Sequence, residues 1–394
     1  MNSQPLKILL VHNYYRERGG EETYLRSLTA LLKARGHKVA LYTKDSRDIN
    51  TFTDKIKTGL GMFWNFGVEK DFTALIRRFR PDVVQFQNIF PSISPTAYWA
   101  CRRYGIPMVQ HVTNYKYVCP KGSLFRGDAI CELCVTKSFY YPSVIYGCYD
   151  GSPLASFFSA LSFFFHKHIL KSFRLVDKYV FPSEFLAKYF MKHSAVDPKR
   201  SVVIPTSGQE RMLRYESKEG DYYLFAGRLT VEKGIFSLLE LVSKNPAIKL
   251  MVVGRDQKQI LQRRYKRYKN IQFKGLLQRS EVLRLMNSAK AVVIPSLWYD
   301  VLPNVLIESL SVGTPVIAPA IGPFKKLIEN GKNGFLYRYG REKELCMLLK
   351  KFKKTDRIRE STRESYKKTY QPDDHYQKLI NTYEEVIKKD PHVL

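Results

Sequence analysis

An apolar run, a stretch of helical periodicity and a second apolar run follow one another repeatedly along this chain. "KILLVHN" (7–13) leads to "EETYLRSLTALLKARGH" (21–37), which Gly36 closes, and "KVALYT" (38–43) comes next. "DFTALIRRFRP" then "DVVQFQN" repeats the pattern, as does "PTAYWACRRYGI" then "PMVQHVT". Strands joined through helices pair in parallel, and strands apolar at nearly every position are covered on both faces. The rhythm restarts after a polar stretch at 207–220. "YYLFAGRL", "IKLMVVG", "IQFKG", "AVVIPS" (291–296) and "PVIA" read as strands, with helices expected over 234–244, 280–288 and 304–312. The predicted class is α/β with two doubly wound, Rossmann-like domains, whose ligands belong in the loops at the carboxyl ends of the strands. A length of 394 residues suits two domains of roughly 200 residues each.

Hydrophobic content of 44% and aromatic content of 13% argue for packed cores, and no segment is repetitive enough to suggest disorder. The apolar run in "MNSQPLKILLVHNYY" is short for a signal peptide, and no run reaches the ~18 apolar residues of a membrane span, so a cytosolic chain is expected. The net charge of +29 implies a polyanionic partner: nucleic acid, an anionic membrane face or an anionic glycan. Basic runs such as "QRRYKRYK" (262–269) and "LKKFKK" (349–354) are by themselves ordinary solvated helix faces. Zinc-finger, RNA-recognition and homeodomain signatures are missing, which argues against a specific nucleic-acid partner.

Three loops carry chemistry. In "WYDVLPNVLIESL" (298–310), Pro303 with Asn304 reads as a helix opening, with Glu308 about one turn inside and Asp300 in the preceding loop. A helix N-terminus attracts phosphate, while a carboxylate nearby suits sugar hydroxyls. Together they point to a nucleotide sugar; the plain alternative has Asp300 solvating a loop and Glu308 pairing with a base. In "GRLTVEKG", Arg228 and Lys233 are candidates to converge on a diphosphate, a surface ion pair being the alternative for each. In "RERGGEE", Gly19 and Gly20 allow backbone to approach a ligand ahead of a helix, or simply make a turn.

Taken in order, "RGGEE", "GRLTVEKG", "VVG" then "FKGLL", "WYDVLPNVLIESLSVGTPVIA" and "NGKNGFL" resemble the retaining glycosyltransferases of family 4 over nearly the whole chain. The resemblance implies the GT-B fold, two Rossmann-like domains facing across a cleft. The expected bounds are an N-terminal acceptor-side domain over 1–206 with a Cys-rich insertion at 119–148, and a C-terminal nucleotide-sugar domain over 207–371. A helix over 372–394 is expected to pack back toward the N-terminal domain. The family's two glutamates, separated by seven residues, fall on Asp300 and Glu308: the second holds ribose hydroxyls and the first touches the transferred sugar, here through the shorter aspartate. Arg228 and Lys233 match the phosphate-binding pair, and Val301, Leu302, Pro303, Asn304 and Val305 match the donor cradle. The backbone near Leu276 is expected at the nucleobase. His111 matches a histidine near the donor sugar, against the plain alternative of a satisfied polar side chain. The implied chemistry needs no metal: a UDP- or GDP-linked sugar passes to a glycan or lipid-linked acceptor with its anomeric configuration retained.

The stretch 119–148 holds Cys119, Cys131, Cys134 and Cys148, including one C-x-x-C. In a cytosolic chain this favours a structural zinc over disulfides, with free or redox-active thiols as the alternative. Immediately after it, "LASFFSALSFFFHKHILKSFRLV" (154–176) reads as a Phe-rich helix ending in Lys167, Lys171 and Arg174. Such a helix either lies in a membrane interface through Phe163, Phe164 and Phe165 or belongs to the N-terminal core. Two other functions fit the same chain: a sugar-nucleotide epimerase of the same fold, or a basic polyanion-binding protein with a degenerate sugar site. The first leaves the greasy, basic surface unexplained, and the second leaves the ordered set of site residues unexplained.

Overall fold

A computed structural model describes residues 4–16, 19–194, 196–207 and 220–388. Most of the polar stretch expected at 207–220 lies outside the described residues. The chain forms two compact units. One runs to Leu124, resumes over Cys131–Pro205 and takes in the C-terminal segment from His375; the other holds Phe125–Ile130 and Thr206–Asp374.

The first unit contains strands β1 (Lys7–Tyr14), β2 (Lys38–Asp45), β3 (Val83–Phe86) and β4 (Met108–His111). A two-stranded antiparallel hairpin, β5 (Phe125–Arg126) and β6 (Ala129–Ile130), follows and is grouped with the second unit. Strands β7 (Lys178–Phe181) and β8 (Ser201–Val203) complete the first sheet, which is parallel in the order β2-β1-β3-β4-β7-β8. Ile8 to Val11 of β1 are fully buried, as expected of a strand covered on both faces. On one face the helix Gly20–Ala34 inserts Tyr24, Leu25, Leu28 and Leu32. Glu22 fixes its start, accepting from the Gly19 N–H at 2.6 Å.

The last helix, Pro372–Lys388, contributes Tyr376, Leu379, Ile380, Tyr383 and Val386 to the same core as Ile8 and Leu10. The Tyr383 hydroxyl donates to Gln85 of β3, and Lys178 of β7 pairs with Glu385 at 2.8 Å.

The second unit contains β9 (Tyr223–Ala226), β10 (Leu250–Val253), β11 (Ile271–Gly275), β12 (Val292–Val293), β13 (Val316–Pro319) and β14 (Gly334–Tyr337). They form a parallel sheet in the order β11-β10-β9-β12-β13-β14, with a core cluster on each face. The strand expected over 291–296 is regular only at Val292–Val293, and the Ile294 N–H still donates to the Ile317 carbonyl at 2.9 Å before the chain turns toward the Asp300 loop.

The segment 154–176 is not one helix. It is α-helical over Pro153–Phe164, opens into a π turn at Phe165–Ile169, and ends in a 3-10 turn at Ser172–Leu175. The break follows from His166, which is fully buried. Its Nε2 donates to the Met62 carbonyl at 2.9 Å and its Nδ1 lies 2.9 Å from Ser172 Oγ, tying the turn to a loop a hundred residues away in sequence. Phe163 is 1% exposed and packs on Phe90 and Phe173, so at this position the core reading holds. Phe164 and Phe165 are half-buried.

Candidate functional site

In the second unit, the loops after β9 and β12 are brought together by one glycine. Gly234 has φ +71, and a Cβ there would stand 1.8 Å from the Pro295 carbonyl oxygen. Only glycine lets the turn Val231–Lys233 sit against the chain leaving β12. The Leu297 N–H donates to the Glu232 carbonyl at 2.9 Å and locks the two loops.

This contact sets Lys233 against Asp300. Lys233 Nζ lies 2.6 Å from Asp300 Oδ2, which also accepts from Ser296 Oγ at 3.3 Å. The ammonium stands 5.2 Å from the centre of the Trp298 ring. Asp300 is buried, so the plain picture of a loop-solvating carboxylate does not apply. Arg228 makes the surface pair considered for it, Nη2 to Glu232 Oε1 at 3.2 Å.

Pro303 caps the helix Asn304–Ser311, and Glu308 sits within it. Its carboxylate lies 2.8 Å from Arg279 Nε, the pairing with a base foreseen as the plain alternative. Burial raises the Glu308 pKa above the usual carboxylate value, and Arg279 opposes the rise. Leu276, past the end of β11, is exposed. Each expected ligand-binding charge thus already has a counter-charge: Lys233 with Asp300, Arg228 with Glu232, Glu308 with Arg279. Arg279, Glu232, Ser296 and Trp298 were not singled out from sequence. Trp298, two residues before Asp300, carried the one usable signal.

Gly19, Gly20 and His111 belong to the first unit. Gly19 is the N-cap of the helix that Gly20 opens. The register pairs Val11 with Phe86 and Phe86 with Gln110, so His12, Gln87 and His111 follow side by side at the carboxyl ends of β1, β3 and β4. All three are buried; the side-chain nitrogens and oxygens of Gln87 and His111 find no hydrogen-bond partner among the described residues, while His12 Nε2 lies 3.9 Å from Glu22 Oε1. Buried polar groups are rarely left so, and a row of them at strand ends is suited to a polar ligand. His111 is therefore not a satisfied core histidine. Burial, aided by His375, pulls its pKa down to about 3, so the ring is neutral near pH 7. Sequence reasoning also missed Glu21 and Lys116, where burial pushes the carboxyl up to about 8 and pulls the ammonium down to about 8.

The zinc expected at Cys119, Cys131, Cys134 and Cys148 does not fit this structure. Among the described residues no group of three or more His, Cys, Asp or Glu stands close enough to hold a metal ion. None of the six cysteines is joined in a disulfide. Burial, with Cys119, Cys148 and Cys131 adding to it, pushes the Cys134 thiol up to about 12, and its sulfur turns to the Tyr140 carbonyl at 3.9 Å.

Residues 19–207 match the family described as Glycosyl transferase 4-like domain, and residues 213–369 the family described as Glycosyl transferases group 1. HepE of Anabaena, solved in complex with UDP, has a similar fold, with a TM-score of 0.66 over 96% of this chain and 100% of that one at 16% identity. The chain has the two domains of a GT-B glycosyltransferase. Among curated proteins, this GT-B chain is 32% identical over 118 residues to an uncharacterized glycosyltransferase of Methanocaldococcus jannaschii; the match spans 28% of the chain and 30% of that relative. It is 23% identical over 375 residues to the alpha-monoglucosyldiacylglycerol synthase of Streptococcus pneumoniae, 84% of the chain and 75% of the relative. No helix among the described residues is long and apolar enough to cross a membrane.

Proposed function

We propose that this protein is a retaining glycosyltransferase that moves a hexosyl or N-acetylhexosaminyl group from a UDP- or GDP-linked donor to a glycan or lipid-linked acceptor. It would work on the cytosolic face of a membrane in the assembly of cell-surface polysaccharide or lipopolysaccharide-type glycans. The observation that carries the reading is the Lys233–Asp300 contact at the carboxyl end of the second sheet, held in place by Gly234. A cation for a diphosphate and an acceptor for sugar hydroxyls there lie within a single hydrogen bond of each other.

In this reading the donor's diphosphate draws Lys233 and Arg228 off their carboxylates. Asp300 is released to a hydroxyl of the transferred sugar, and Glu308 takes the ribose hydroxyls. Val301 to Val305 cradle the diphosphate, and Leu276 lies by the base. Neutral His111 donates or accepts a hydrogen bond without adding charge. The acceptor oxygen bonds to the anomeric carbon on the face from which the diphosphate leaves, and a leaving phosphate oxygen takes the acceptor's proton. The charge growing on the nucleoside diphosphate is met by the two basic side chains. The likeness to an alpha-monoglucosyldiacylglycerol synthase, and UDP bound in one structural neighbour, support a lipid-linked acceptor and a uridine donor.

The test is a panel of nucleotide sugars screened by thermal shift, since a ligand that binds only the folded state raises its apparent stability. The reading expects one donor to raise the melting temperature and to be hydrolysed slowly to nucleoside diphosphate. An intact donor with retention on nucleic acid at moderate salt would instead indicate a polyanion-binding protein.

A further inference from the structure

In the first unit the helix Pro153–Phe164 buries Phe163 and Ala160 but otherwise turns serines inward and large apolar residues outward. Ser156, Ser159 and Ser162, spaced by three, are fully buried, while Leu154 is 63% exposed and Phe157 40% exposed. Two of the three serines are held by hydrogen bonds: Ser162 Oγ donates to the Met62 carbonyl at 2.8 Å, and Ser156 Oγ accepts from the Tyr149 N–H at 2.9 Å. A helix at a water surface normally turns its large apolar residues inward.

The exposed apolar side continues onto neighbouring elements. The helix Phe52–Gly61 packs beside it, Phe158 standing 3.8 Å from the Cβ position of Gly59. It presents Phe52, Ile56 and Leu60, one residue per turn, at 72%, 48% and 58% exposure. The short helix Tyr141–Ile145, packed on the other, adds Ile145 at 68%. Contiguous apolar surface of this kind marks an interaction site.

We infer that this three-helix face docks on a lipid bilayer containing anionic lipids. The charge around it selects that occupant. From 137 to 175 the chain carries Lys137, Lys167, Lys171 and Arg174 against one acid, Asp150. A second copy of this chain would set lysine against lysine and oppose two bodies of charge +29, whereas an anionic headgroup layer complements the rim. The helices are too short to span, so the docking is interfacial. The inference deepens the proposed membrane setting and does not depend on the donor-site residues. The anchor is accordingly not Phe163, which is core, but Leu154, Phe157 and Ile56 with their neighbours.

The test is cosedimentation with vesicles of phosphatidylcholine alone or with about a third phosphatidylglycerol. The parent should bind the anionic vesicles, more weakly with added salt but not to zero. Ile56→Ser/Leu154→Ser/Phe157→Ser should bind at least ~10-fold less, with unchanged circular dichroism and unchanged nucleotide-sugar thermal shift. Phe52→Ser/Ile145→Ser, made only at the two most exposed positions, gives the same readout should the triple variant lose its fold. Failure of the parent to bind either vesicle, or equal binding by the folded variants, overturns the inference. So does a parent dimer in sedimentation velocity that these substitutions dissolve. Vesicle binding without any response to nucleotide sugars would overturn the transferase reading and leave the docking face standing.

Discussion

Lowering the pH should unfold the first unit before the second. Of the buried histidines in the first unit, three are pulled furthest below the usual value and held neutral. Burial pulls His111 down to about 3, and His166 and His375 each to about 4. Their hydrogen bonds agree: His166 donates from Nε2 to Met62, and His375 donates from Nδ1 to the Pro205 carbonyl while Nε2 meets the Tyr24 hydroxyl. All three folded-state values lie below the unfolded value of about 6.5, so between pH 6.5 and 4.5 the folded form binds fewer protons than the unfolded chain. Stability therefore falls as pH falls, by about 1.4 kcal/mol per pH unit per histidine. Glu21 works the other way: raised by burial to about 8, it is protonated in the folded state and favours folding as the pH drops toward its unfolded value. Three losses against one gain over two pH units leave a net cost of about 5 kcal/mol, comparable to the whole stability of many domains. Urea titrations at pH 6.5 and 4.5 would measure it. Trp298→Phe leaves Trp64 and Trp99, both in the first unit, as the fluorescent reporters. His166→Asn should flatten the slope by about 1.4 kcal/mol per pH unit. An unchanged urea midpoint across this window, or earlier loss of the second unit in hydrogen exchange, would refute the reasoning.

Lys233→Ala and Glu308→Ala should each lower transfer roughly tenfold to a hundredfold with the fold intact, the loss of a charge-assisted contact costing on the order of 1.5 to 3 kcal/mol; steady-state rates with the donor found by thermal shift check this. Asp300→Asn should hurt turnover more than binding of free nucleoside diphosphate, which lacks the sugar, and calorimetry on both ligands separates the two. Gly234→Ala should destabilise the second unit by at least about 1 to 3 kcal/mol, because the new Cβ meets the Pro295 carbonyl; urea unfolding gives the value. Elemental analysis of protein purified without added metal should show no stoichiometric zinc, and Cys131→Ser should leave the melting temperature unchanged.

The alternation of strands and helices was legible because apolar periodicity is a local property, and "KILLVHN" or "IKLMVVG" carries it in full. The sheet order was not, since nothing in β1 itself says that it lies between β2 and β3. The break in 154–176 was hidden for the same reason: it depends on His166 meeting a carbonyl at Met62. That Ser156, Ser159 and Ser162 face inward and Leu154 outward is likewise a tertiary outcome, as the residues alone permit either orientation. At the site, chain position marked Lys233, Asp300 and Glu308, but not the partner each takes. Arg279 lies far from Glu308 in sequence and belongs to no motif.

The helix Pro372–Lys388 has a consequence for how the chain is made. The core that Ile8 and Leu10 enter is completed by Tyr376, Leu379, Ile380 and Tyr383, which leave a ribosome after the whole of the second sheet. At the usual elongation rates, the interval between synthesis of Pro205 and of this helix is on the order of ten to forty seconds. Throughout it, the first sheet has emerged with one face covered only in part, by the helix Gly20–Ala34. The second unit contains its entire sheet by Asp374 and can close during that wait. Biogenesis would then run against sequence order, the half translated first being finished after the second, and a chain stopped short of Pro372 would present a partly open apolar core to chaperones and proteases.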